Sequence, residues 1–137
     1  MLKKWLKKLL KAYKLTKIFC DIADKKLIKK FDKKKIVKGF TTNPSLMRKA
    51  GAKDYKAYSL EILKLTKKPV SFEVFSDDEK NMISQGLKIN KWAKNVYVKV
   101  PVTNSKGKFM GRVINTLNNN KIKLNVTAVY TAKQTKN

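Results

Sequence analysis

From residue 17 onward the chain alternates short apolar runs with longer amphipathic segments, and this limits the fold more than any other property of the sequence. The runs at 17–22, 36–43, 69–75, 95–102 and 121–130 have the length and composition of strands. The stretches near 24–32, 53–66, 77–93 and 106–118 are helix-like amphipathic segments. Strands joined by helices of this size make βαβ units, so an α/β protein with a parallel sheet is predicted. Ser76-Asp77-Asp78-Glu79 has capping-box spacing at the start of the third helix, and Asn118-Asn119-Asn120 supplies the turn that ends the fourth.

A parallel sheet covered on both faces is built from nearly continuous apolar strands. Here each strand carries polar residues, and the two-residue period of a strand assigns them to one face. Asp21 shares the face of Phe19, opposite Ile18, Cys20 and Ile22. Thr41 and Asn43 share the face of Gly39, and Glu73 that of Ser71 and Phe75. Lys99 lies opposite Val96, Val98 and Val100; Asn125 and Thr127 lie opposite Leu124, Val126 and Ala128. Burying such groups without partners costs about 1–3 kcal/mol each. A solvated sheet face explains any single strand. A common polar interior, as in a barrel whose strands direct functional groups toward one centre, explains all of them together.

Composition removes several classes of function. A hydrophobic content of 42% in 137 residues suits one folded domain with a real core. Cys20 is the only cysteine and histidine is absent, which excludes an internal disulfide, a zinc site and a Ser-His or Cys-His couple. A lone thiol also makes the reducing cytoplasm the expected compartment. No Gly-rich phosphate loop is present. The net charge of +25 suggests polyanion affinity, but all 34 basic residues except Arg48 and Arg112 are lysine, and they are spread along the chain. Specific readout of phosphates and bases favours arginine, so no dedicated nucleic-acid role is expected.

Residues 1–16 stand apart as a basic extension. Leu2, Trp5, Leu6, Leu9, Leu10 and Tyr13 fall on one helical face with lysines on the other, and the segment lacks the continuous apolar core of a secretory signal. It reads either as a helix covering an apolar surface or as an interfacial membrane helix, the former being favoured.

Lys99 is the residue with the most chemistry. Between Tyr97-Val98 and Val100-Pro101 it belongs to the core, where burial disfavours the ammonium form. A lysine in that state attacks carbonyls and forms imines, with Asp21 or Glu73 available for proton transfer. A structural Lys99–Glu73 ion pair accounts for the same residues. Spacing alone leaves both readings open.

A family resemblance bears on that choice. Lys38-Gly39-Phe40-Thr41-Thr42-Asn43-Pro44-Ser45-Leu46 resembles the G-x-T-T-N-P-S signature of transaldolases and fructose-6-phosphate aldolases. Ile18-Phe19-Cys20-Asp21, Val70-Ser71-Phe72-Glu73-Val74, Val98-Lys99-Val100-Pro101-Val102-Thr103 and Asn125-Val126-Thr127-Ala128-Val129-Tyr130 resemble the family's other motifs, in family order, over residues 17–134. Ile22 replaces the family's usual threonine after the first aspartate.

The resemblance implies a (β/α)8 TIM barrel that works through a Schiff base, with no metal or organic cofactor. Lys99 would attack C2 of a ketose phosphate, Asp21 would transfer the proton in C3–C4 cleavage, and Glu73 and Thr127 would hold the relay water. Asn43, with Thr41 beside it in the motif, and Asn125 would meet the hydroxyls of the dihydroxyacetone unit. Glu73 stands where transaldolases carry Glu and the aldolase branch typically carries Gln, which favours transaldolase. An aldolase-type lyase and an inactive structural fragment are the alternatives. The family's phosphate-binding Arg and Ser come later than Asn137. The expected architecture is therefore a barrel truncated to about its first five βα units over 17–137, with a homo-oligomer or a complementing C-terminal fragment as the expected assembly.

Overall fold

A computed structural model of the chain describes residues 16–136. Apart from Thr16, the basic helix expected over 1–16 lies outside these residues. In order, the chain forms β1 (Ile18–Asp21), α1 (Lys25–Asp32), β2 (Val37–Thr41), α2 (Pro44–Lys49), α3 (Tyr55–Leu65), β3 (Val70–Glu73), α4 (Glu79–Asn90), β4 (Val96–Pro101), α5 (Gly111–Asn119), β5 (Leu124–Thr127) and α6 (Ala132–Lys136). The strands make one sheet in the order β1-β2-β3-β4-β5, and every pairing is parallel. Successive βαβ crossovers of one hand lay each strand beside the last. The sheet curls into a half-barrel with the alternating strand and helix order of a (β/α)8 barrel, as the sequence predicts.

One face of the sheet is dry. Phe40, Val70, Phe72, Val96, Val98 and Val100 are all 1% exposed or less. The helices close over this face with Ile28, Met47, Ile62, Met82, Ile89, Val113 and Leu117. Each fully buried side chain of this size stabilises the fold by about 1.5–3 kcal/mol. Gly86 lets α4 and α5 approach closely, since a Cβ there would lie 2.8 Å from Leu117 Cδ1. Among the described residues no helix is long and apolar enough to cross a membrane.

Helices α1 to α4 start where short acceptor side chains cap them. Asp24, Asn43, Asp54 and Asp78 accept from the backbone N–H groups of Leu27, Leu46, Ala57 and Asn81. Such a cap contributes about 1 kcal/mol. The capping box expected at Ser76 is thus displaced: Asp78 caps α4, accepting from both the backbone and the side-chain amide of Asn81. Ser76 instead accepts from Gln85 Nε2 at 2.9 Å.

Three boundaries differ from expectation for local reasons. The strand predicted through residue 43 ends at Thr41, because Asn43 caps α2 and Pro44 is preset for a first helical turn. The helix predicted from 106 begins at Gly111, because Thr103 and Phe109 form an antiparallel bridge around a turn with Gly107 at φ 77°. The strand predicted over 121–130 shortens to β5, which is flanked by the left-handed residues Lys121 (φ 60°) and Ala128 (φ 58°).

Candidate active site

The other face of the sheet is polar, and the register arranges its side chains in two staggered rows. Asp21 pairs with Thr41, and Thr41 with Ser71. Glu73 pairs with Lys99, and Lys99 with Asn125. Thr127 pairs with Pro101. Asp21, Thr41, Glu73 and Thr127 are the last residues of their strands, and Lys99 and Asn125 lie two residues earlier. The C-terminal ends of the strands are where barrels of this architecture hold their chemistry. Gly39 makes room on this face for Phe19: a Cβ at Gly39 would lie 2.4 Å from the Phe19 ring and 2.6 Å from the Pro69 carbonyl oxygen.

Lys99 and Glu73 are brought into contact. Lys99 Nζ lies 3.4 Å from Glu73 Oε2, with the two side chains 13% and 20% exposed. The same Nζ donates to the Thr42 carbonyl at 3.3 Å. The amine is thus held between the ends of β2 and β3, with the valines of β4 directed to the opposite face. An amine beside a carboxylate has a partner for each proton it gains or loses during attack on a carbonyl. The same arrangement serves a structural ion pair and an amine poised for carbonyl addition alike.

The other predicted residues form separate contacts around this pair. Thr41 Oγ1 donates to Asp21 Oδ1 at 2.7 Å on the outer strands β1 and β2. Asn125 Nδ2 donates to Ser71 Oγ at 3.1 Å, reaching from β5 across β4 to β3. Thr127 closes β5, where its carbonyl accepts from Val102 N at 2.9 Å. Asn43 is not on the strand face assigned to it by alternation. It lies beyond β2, and its side-chain oxygen accepts from Leu46 N at 2.8 Å. Its amide NH2 and the second lone pair of Oδ1 are not used in that contact.

Two contributors escaped the sequence reading. Thr42 alternates to the dry side and is fully buried, yet its carbonyl reaches Lys99 and its hydroxyl donates to the Ser71 carbonyl at 2.8 Å. Tyr55, the first residue of α3, bonds to both backbone polar groups of Glu73. Burial pushes the Tyr55 hydroxyl well above the ordinary tyrosine pKa of 10.0. A tyrosine just after a capping aspartate gives no sign in sequence of a partner 18 residues away.

A half-barrel with a lysine–carboxylate pair at the carboxyl end of its strands has the architecture of a (β/α) barrel with polar groups where such barrels hold their chemistry. Comparison with known proteins makes the assignment specific. The model of the transaldolase/fructose-6-phosphate aldolase family matches residues 18–137, and the chain belongs to that family. A probable transaldolase of Methanococcus maripaludis strain C5 is 40% identical over 118 residues, covering 86% of this chain and 53% of that protein. Probable transaldolases of Nitrosopumilus maritimus strain SCM1 and Thermoanaerobacter sp. strain X514 are 39% and 36% identical, again over 86% of this chain and 51% and 52% of theirs. The chain spans about half the length of the curated relatives it matches.

Proposed function

We propose that this chain carries the imine-forming half of a transaldolase site acting on a sugar phosphate. The observation that supports this most is the Lys99 amine set against the Glu73 carboxylate, on the polar face, at the carboxyl end of a family sheet. Lys99 adds to the C2 carbonyl of a ketose phosphate, and the carbinolamine loses water to give an iminium ion. Glu73 and Thr127 position the water that carries these protons. Asp21 takes the proton of the C4 hydroxyl as the C3–C4 bond breaks, and the bond pair enters the iminium to form an enamine. An aldose leaves, while the dihydroxyacetone unit stays on Lys99, met by Asn125, the Asn43 amide and Thr41. The enamine then adds to an acceptor aldose phosphate and hydrolysis frees Lys99.

Glu73, rather than a glutamine, favours transfer over simple release, and pentose phosphate metabolism in the cytoplasm is the matching setting. The phosphate is gripped by groups outside the five strands. Further strands, whether of a longer chain, a complementing fragment or a second copy, pair at β1 and β5, the outer strands of the described sheet. The test is borohydride reduction in the presence of fructose 6-phosphate or dihydroxyacetone. A covalent adduct that Lys99→Ala abolishes is expected; equal labelling of the two proteins would overturn the proposal.

A further inference from the structure

A backbone ladder is incomplete at the most consequential residue of β3. The pairing of β2 with β3 covers Phe40 with Val70 and Thr41 with Ser71, and Thr42 N then donates to the Ser71 carbonyl at 3.1 Å. Beyond this, Asn43 turns the chain into α2. In a parallel sheet, alternate residues of a strand address opposite neighbours. Val74 N donates toward β4, to the Lys99 carbonyl at 3.0 Å. Glu73 therefore turns its N–H and C=O toward β2, where the strand has ended. Two part-buried backbone groups without partners would leave this point of the strand poorly fixed.

The Tyr55 hydroxyl fills the gap. It accepts from Glu73 N at 3.0 Å and donates to Glu73 O at 3.1 Å, one oxygen serving both backbone groups as an adjacent strand would. The ring is itself held in place, edge-on to Phe75 with centroids 5.7 Å apart and tilted against Trp92 at 6.0 Å. Trp92 also packs edge-on against Phe72 of β3, at 5.6 Å. Helix α3 is thereby coupled to the strand end that carries the carboxylate.

We infer that Tyr55 is a positioning residue that sets the Glu73 carboxylate against Lys99 by replacing the missing β2 partner, an inference resting on the reading of Lys99 and Glu73 as the reacting pair. Without the hydroxyl, the end of β3 moves and the carboxylate no longer shares one geometry with the amine. Small displacements of a proton-transfer group lower rates steeply.

Tyr55→Phe keeps the ring and removes only the hydroxyl. Tyr58→Phe is the matched control, because Tyr58 lies one turn along α3 and donates to the Ala23 and Ala50 carbonyls rather than to β3. In Tyr55→Phe, amide exchange at Glu73 is expected to accelerate by at least about tenfold while Val74 and Val98 keep their protection. The Lys99 titration, followed by 13C NMR at Cε, shifts in Tyr55→Phe and not in Tyr58→Phe. Borohydride trapping with dihydroxyacetone slows by about tenfold in Tyr55→Phe alone. In the unsubstituted protein, a slowly exchanging Tyr55 hydroxyl proton with a nuclear Overhauser contact to the Glu73 amide is expected, and this holds even if the variant folds poorly. Wild-type-like Glu73 exchange together with an unshifted Lys99 titration in Tyr55→Phe overturns the inference, as does the absence of that contact. Absence of any adduct in the unsubstituted protein strikes the Schiff-base reading alone; exchange and titration then decide the role of Tyr55.

Discussion

The two faces of the sheet are made by the same five strands and obey opposite rules. On the helix-covered face, Phe40, Phe72 and the β4 valines are apolar and essentially inaccessible. On the concave face, the side chains of Asp21, Thr41, Ser71, Glu73, Lys99 and Asn125 meet one another across strands. The dry face is held by area removed from water, which tolerates changes of shape poorly and carries no chemistry. The wet face is held by pairs, so each polar group answers for its neighbour's position. Apolar packing and polar pairing are thus divided between alternate residues of a single strand, as in Val98 beside Lys99.

The division can be broken from either side. Phe72→Ala, on the dry face, is expected to cost about 3–5 kcal/mol of unfolding free energy, measured by urea denaturation. Gly39→Ala follows at about 1–3 kcal/mol, since the Pro69 carbonyl cannot yield to a Cβ as a flexible side chain would. Ser71→Ala removes the acceptor of Asn125 and is expected to cost about 0.5–1.5 kcal/mol by the same assay, while slowing adduct formation at Lys99 more than Phe72→Ala does per unit of lost stability. Comparable slowing per kcal/mol in the two variants would show that the faces are not separable.

The smallest effect lies away from both faces. Ser105, through its hydroxyl and then its backbone N–H, holds the exposed Asp77 carboxyl below the ordinary carboxylate range. The folded-state pKa is depressed, so this contact stabilises the protein above the ordinary range and is lost as pH falls through the lower folded value. Asp77→Asn is expected to flatten the acid limb of a Tm-against-pH curve slightly while leaving adduct formation unchanged.

Much of this was legible in sequence because a strand repeats every two residues. Parity placed Asp21, Glu73, Lys99 and Asn125 on one face, and parallel pairing brought Glu73 beside Lys99. The same parity failed at Asn43, where Asn-Pro reads equally as a strand end and as a helix cap followed by Pro, and the cap prevailed. The capping-box spacing misplaced the start of α4 at Ser76 for another reason: a carboxylate two residues on offered the stronger acceptor. Thr42 and Tyr55 were illegible for a different reason. Thr42 acts on Lys99 through a backbone carbonyl, and Tyr55 through a contact between a helix start and a strand end. No periodicity encodes either.

The central claim, that Lys99 differs in kind from the exposed lysines of this strongly basic chain, has a direct test. The protein is reduced with borohydride in the presence of dihydroxyacetone, digested, and every lysine-containing peptide is quantified by mass spectrometry. Label concentrated on the peptide bearing Lys99, and abolished there by Glu73→Ala with the surface lysines unchanged, is the expected result. Label distributed over the lysines in proportion to their exposure, with the 13% exposed Lys99 among the least modified, would contradict it.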